Sequence, residues 1–323
     1  MSNMSKSNGR RPAIEVVGLT KVYPGGVEAV KHLRFEVATG EVFGLPGPNG
    51  AGKSTTIGML TTTVTPTAGS ARVAGCDVVE DPIGARAASA VVFQDPVVDR
   101  GLTGRRNLDI HARLWGVPRA EIGARIAEVA ARFGLDDLLD REVDTYSGGQ
   151  RRRLEIARSL ISRPTVLFLD EPTVGLDPRI RHELLDVIGS LRSTGGMTIV
   201  LTTHYLDEAE RLCDRIAIVH AGRIVALDSP DALLTQLGDE IVELKVDTDA
   251  SALLTFLRER GVSSDGAFAV GTTLTLPLRG VASRDVFDAV DHYGVTVISS
   301  ASRRPTLDDV YLQLTGDRLA AAA

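Results

Sequence analysis

Several things are scarce or missing in this chain. Only two of its 323 residues are cysteine, Cys76 and Cys213, far apart and without the close spacing of metal ligands. That excludes a disulfide framework and a thiolate metal site, and it fits a reducing cytosol. No apolar run approaches the roughly 18 residues of a membrane-spanning helix, so no span is expected. An excess of positive charge is also absent: 42 acidic side chains face 36 basic ones, a net charge of −6. An electrostatic nucleic-acid binder is therefore not expected. Met1 to Arg11 is rich in Ser, Asn and Gly and lacks the apolar segment of a signal peptide. Residues 1–12 accordingly read as a disordered tail. There is no internal repeat, and low complexity is confined to the terminal Ala320 to Ala323, within a second tail at 318–323.

What remains is ordinary soluble composition, 43% hydrophobic and 24% charged, in a chain long enough for one large domain and a small one. Its organising stretch is Gly47-Pro48-Asn49-Gly50-Ala51-Gly52-Lys53-Ser54-Thr55, which fits the phosphate-loop pattern G-x-x-x-x-G-K-[ST]. The apolar run Val42 to Leu45 precedes it as a strand, and Thr56 to Leu60 can begin a helix. Glycines let successive N–H groups turn in around a phosphate, and the helix start adds a favourable dipole. Lys53 can reach the terminal phosphates, and the Ser54 hydroxyl can ligate Mg²⁺.

Around this loop the pattern alternates strand and helix. Ile14 to Val17, Val30 to Val37, Ala71 to Ala74, Ala90 to Phe93, Val166 to Leu169 and Thr198 to Leu201 read as strands. Residues 217–219 and 223–225 read as a hairpin around Ala221-Gly222. Between 102 and 161 the period turns helical, through Leu108 and Trp115, Ile122 to Phe133, and Leu154 to Ile161. Such alternation predicts an α/β layer with a mixed, largely parallel sheet and a helical subdomain at about 95–162. A boundary near Gly238 is followed by strands and helices in a βαββαβ-like order, which predicts a small ferredoxin-like α+β module over 238–317.

A phosphate loop alone does not separate a kinase from a GTPase or a transport ATPase. Tyr146-Ser147-Gly148-Gly149-Gln150 does, because Ser-Gly-Gly-Gln at a helix start follows the loop and precedes the apolar strand ending in Asp170-Glu171. In these motifs the sequence resembles the ATP-binding-cassette (ABC) superfamily of phosphate-loop NTPases, over about Ile14 to Ala232, with 13–237 as the cassette. Thr306-Leu307-Asp308-Asp309-Val310-Tyr311 and His111 to Val117 are similar to the daunorubicin-resistance type of exporter ATPase. The resemblance implies ATP and Mg²⁺ as cofactors. Asp170 would hold the metal through water, with Ser54, and Glu171 would be the general base. His204 would contact the γ-phosphate as the switch histidine, and Gln94 would touch the metal and sense the membrane partner. Asp177 would lie in the loop crossing to the opposite subunit, Tyr23 would stack on adenine, and Ser147 to Gln150 would close over the nucleotide of a second cassette.

The expected function is that of an ATP-hydrolysing subunit at the cytoplasmic face of the membrane. It would pair as a homodimer and power a permease exporting a drug, antibiotic or lipid. A soluble ABC ATPase of repair or translation and an importer ATPase are the alternatives. Repair relatives carry long coiled-coil insertions and ribosomal ones two cassettes, neither of which this chain shows. Three departures from the family stand out: Pro46, which lacks an N–H at the strand end; Arg106, where the subgroup typically has glutamate; and Tyr146, where leucine is common.

Overall fold

The computed structural model describes residues 12–95, 97–192, 196–263 and 266–316. Both expected tails fall outside them, apart from Pro12. In chain order the elements are β1 (Ile14–Tyr23), β2 (Val27–Val37), β3 (Val42–Pro46), α1 (Lys53–Leu60), β4 (Ala68–Val73), β5 (Cys76–Asp77), α2 (Pro82–Ala88) and β6 (Ser89–Val92). They continue with α3 (Gly104–Leu114), α4 (Arg119–Phe133), α5 (Gly148–Leu160), β7 (Val166–Asp170), α6 (Pro178–Arg192), β8 (Thr198–Thr203), α7 (Leu206–Leu212), β9 (Arg215–His220) and β10 (Arg223–Asp228). The last are α8 (Pro230–Leu237), β11 (Glu240–Val246), α9 (Ala250–Glu259), β12 (Phe268–Val270), β13 (Thr273–Leu278), α10 (Ser283–Tyr293), β14 (Val297–Arg303) and α11 (Leu307–Thr315).

The first compact unit, Met1–Leu227, contains two sheets. One has strand order β10-β9-β3-β8-β7-β6, and its β3, β6, β7, β8 and β9 pair in parallel. Strands β3, β7 and β8 are buried at every position. Continuous apolar runs are what a parallel sheet covered on both faces requires. The other sheet, β2-β1-β4-β5, is antiparallel and packs Ile14, Leu19, Leu33 and Phe35 into the same core as Phe43, Ile57 and Leu60. Phe35 stacks on Phe43 with ring centroids 5.2 Å apart.

The parallel order puts the C-terminal ends of β3, β7 and β8 side by side, with Pro46 beside Thr203 and Asp170 beside Thr202. Pro46 is accommodated by the strand order. Gly47 N donates to Thr203 O (3.1 Å), so the preceding amide would face the opposite neighbour, β9. Pairing with β9 is recorded only at Phe43 and Gly44, and the missing N–H forfeits no ladder bond. Tyr146 is buried, and its hydroxyl donates to Leu138 O inside the helical region. Arg106 is exposed and pairs with Asp109 at 3.0 Å.

The second unit, Asp228–Ala323, is a four-stranded sheet of order β12-β13-β11-β14 in which all recorded pairs are antiparallel. Helices α9 and α10 supply Leu253, Leu257, Val286 and Val290 to its core. Helix α8 packs on α11 within this unit.

Candidate functional site

The site is assembled at the strand ends of the first unit. After β3 the chain makes the phosphate loop, with Gly50 at φ 79° and Gly52 at φ 99°, a region where glycine pays no steric penalty. Space constrains two of its glycines further. A Cβ on Gly47 would lie 2.2 Å from Val219 O, and one on Gly52 would lie 2.3 Å from Ala29 O. The outside of the loop is thus closed against backbone, and Gly222 N ties to Ala51 O (3.1 Å). Helix α1 starts at Lys53, and the N–H groups of a helix's first turn have no intrahelical acceptor. Pro48, Asn49, Ala51 and Thr55 complete the loop.

Lys53 is buried. Its Nζ donates to Gly47 O (2.7 Å) and Pro48 O (3.0 Å) and forms an ion pair with Glu171 Oε1 at 3.0 Å. Ser54 Oγ donates to Asp170 Oδ1 (3.2 Å), and Thr202 Oγ1 donates to the same oxygen (2.5 Å). Glu171 has φ 46°, an uncommon conformation for a non-glycine residue. Its N–H is held by Thr202 O (3.2 Å) and Thr202 Oγ1 (3.0 Å), and its Oε2 lies 3.0 Å from His204 Nδ1. Lys53, Ser54, Asp170, Glu171 and His204 therefore form one contiguous cluster. An ammonium, a hydroxyl and two carboxylates beside a helix start suit a polyphosphate with a hard divalent cation, which takes oxygen ligands.

Other expected residues lie outside that cluster. Tyr23 is exposed, with its hydroxyl 3.5 Å from Thr55 Oγ1 and Lys21 Nζ 5.1 Å from its ring. Gln94 is exposed just past β6, and no hydrogen bond ties it to the described residues. Ser147 caps α5: its Oγ accepts from Gln150 N (3.2 Å) while Gln150 Oε1 accepts from Ser147 N (2.9 Å). Ser147 and Gly148 are exposed, whereas Gly149 is buried against Ile180, whose Cγ2 would lie 2.3 Å from a Cβ there. Asp177 is exposed and accepts from Ile180 N (3.1 Å) at the start of α6. Among the described residues no hydrogen bond or ion pair joins Ser147 to Gln150 with the phosphate loop.

Two groups escaped the sequence reading. Thr202 is fully buried and holds both Asp170 and Glu171. Its signal in the sequence is its place two residues before His204, near the end of an apolar strand. Glu208, also fully buried, accepts from Thr173 Oγ1, Thr203 Oγ1 and Arg181 Nε, each at 2.6 Å. A cavity of about 620 Å³ opens at the opposite ends of the strands, near Val166 and Thr198, and shares no residue with the cluster.

Known proteins resemble this chain over most of its length. The ABC transporter family model matches residues 30–174. The daunorubicin/doxorubicin resistance ATP-binding protein DrrA of Streptomyces peucetius is 42% identical over 94% of this chain and 92% of its own length. The Nod factor export ATP-binding protein I of Ralstonia nicotianae is 39% identical over 95% of each chain. Among solved structures, cbiO1 of Clostridium perfringens, described as part of the ABC transporter complex cbiONQ, aligns with a TM-score of 0.66. It is 28% identical and covers 70% of this chain and 92% of its own. A dimeric ATP-binding cassette bound to ADP and Pi shares the fold at a TM-score of 0.61 and 24% identity, over 67% of this chain and 98% of its own.

Proposed function

This chain belongs to the ABC transporter family as an ATP-binding, ATP-hydrolysing member, and from that premise we propose that two copies of it power a membrane permease exporting a hydrophobic compound such as a drug, antibiotic or lipid. The observation that carries the two-copy reading is the separation of the site into halves. The catalytic cluster lies at the strand ends, while among the described residues Ser147 to Gln150, which cap α5, make no hydrogen bond to it. Export is supported by what the relatives are named for: resistance to daunorubicin and doxorubicin, and Nod factor export. No helix among the described residues is long and apolar enough to cross a membrane, and attachment would run through the permease at the cytoplasmic face.

In this reading the loop Gly47 to Thr55 and Lys53 hold the phosphates, and Tyr23 stacks on adenine. Mg²⁺, held by Ser54, Asp170 and Gln94, would supply charge neutralisation at the phosphate oxygens. Ser147 to Gln150 of the second copy close over the γ-phosphate, and Asp177 contributes at the same junction. Glu171 takes a proton from water as the water oxygen bonds to the γ-phosphorus and the bond to the bridging oxygen breaks, leaving ADP and phosphate. His204, 3.0 Å from the carboxylate, keeps it aimed and reaches the γ-phosphate. The C-terminal unit is an accessory module.

The deciding variant is Glu171→Gln. ATP binding should persist and a closed dimer should accumulate, with hydrolysis down by about 10²–10⁴, the usual worth of a general base. Wild-type hydrolysis in that variant would remove Glu171 from the mechanism. Recovery of the chain with ribosomes or DNA, rather than with a membrane protein, would overturn the transport reading.

A further inference from the structure

Arg152 lies in the second turn of α5, and its side chain is buried. Its donors go to three different parts of the first unit. Nε donates to Pro172 O (2.7 Å), and one terminal nitrogen donates to Phe93 O (2.6 Å) and Glu155 Oε2 (3.0 Å). The other donates to Asp170 O and Glu171 O, both at 3.3 Å. Glu155, also buried, accepts at its second oxygen from Val97 N (2.6 Å). A little further along the helix, Arg158 donates to Val97 O (2.9 Å). The planar guanidinium can satisfy acceptors in several directions at once, which a lysine ammonium on its flexible stem does less well.

The three parts joined in this way matter separately. Phe93 and Val97 flank the exposed Gln94. The helix bearing Arg152 opens with Ser147 to Gln150. Asp170 to Pro172 contains both catalytic carboxylates, with Glu171 in its left-handed conformation. Such a conformation persists only where its surroundings over-determine it. Thr202 holds the amide side of Glu171, and Arg152 holds the carbonyl side.

We propose that Arg152, braced by Glu155, is a positioning residue that locks the Gln94 loop, the α5 start and the Asp170–Glu171 strand end into one body, so that a displacement at Gln94 is felt at the catalytic carboxylates. This rests on Glu171 acting as the base. Hydrogen-bond networks and rigid elements of this kind can carry coupling between sites.

The test compares steady-state ATP hydrolysis of the full-length wild type, Arg152→Lys, Gln94→Ala and the double variant. Arg152→Lys should lower kcat at least tenfold while KM for ATP stays within twofold, with thermal unfolding still cooperative. Gln94→Ala should lower kcat as well, and the double variant should be no slower than the worse single one. Non-additivity of this kind reports coupling, which a merely structural arginine would not produce. A kcat within twofold of wild type in Arg152→Lys would overturn the proposal, and so would single effects that multiply in the double variant. If Arg152→Lys does not fold, Glu155→Gln, which keeps an acceptor for Val97 N and removes the countercharge, carries the same comparison. Glu171→Gln separates the two ideas: hydrolysis retained there defeats the base assignment, whereas a dead Glu171→Gln beside additive Arg152 effects defeats only the coupling.

Discussion

Gly47 shows what one position can demand. Its conformation needs no glycine, yet a side chain has nowhere to go, because the nearest atom to its Cβ would be a backbone oxygen rather than a yielding side chain. Gly47→Ala should therefore displace the loop from β9. The expected result is at least a tenfold weaker ATP affinity by calorimetry, with a stability loss of about 1–3 kcal/mol typical of overpacking. Unaltered affinity would show that the loop can move without cost. Glu171 presents the opposite case, a strained backbone held from both sides. The motif pattern points to Gly47, Lys53 and Ser54 directly from the sequence. It says nothing of Thr202 or Arg152, whose partners are distant in sequence and meet them only when β7, β8 and α5 pack together.

At the scale of elements, α3 joins packing to protonation. Leu108 and Ala112 are buried on it, and His111 lies beside Trp115 with ring centroids 5.9 Å apart. Burial, followed by repulsion from Arg158, pulls the His111 pKa down to about 4. An unfolded chain takes up that proton near pH 6.5, whereas the folded one stays neutral to about pH 4. The folded pKa is depressed, so this contribution to stability is complete above about pH 6.5 and fades as the pH falls toward 4. Denaturant unfolding followed over that window should show the decline in the wild type and a flatter profile in His111→Gln. Identical slopes would place the acid sensitivity elsewhere. Element recognition from sequence followed burial: β3, β7 and β8 stood out as unbroken apolar runs, and α4 as an amphipathic period. Helix α2 escaped because only Ala85 is buried on it, and α7, β5 and β12 escaped because they are too short to establish a period.

At the scale of the whole molecule, one copy carries the cluster of Lys53, Ser54, Asp170, Glu171 and His204, and among the described residues Ser147 to Gln150 make no hydrogen bond to it. If two copies complete each other, activity per chain should rise with protein concentration and level off once dimers dominate. A dilution series of ATPase measurements checks this, and a rate per chain independent of concentration would make a single copy sufficient. The preorganised donors at a helix start do most when they face developing charge in a site closed to water, which a second copy would provide.

The sequence by itself determined the phosphate loop, the strand–helix alternation and the pair Asp170-Glu171, because each depends on residues adjacent in the chain. It also located the α5 start, through a serine and glycines whose capping chemistry is local. The tertiary structure decided the rest: that Pro46 forfeits no ladder bond, that α8 packs with the C-terminal unit, and that Gln94 stands exposed. It also decided that Lys53, Glu171 and His204 touch, and that Arg152 reaches both Phe93 and the Asp170–Pro172 segment from α5. Those outcomes depend on strand order and helix packing, which bring together residues that no local pattern connects.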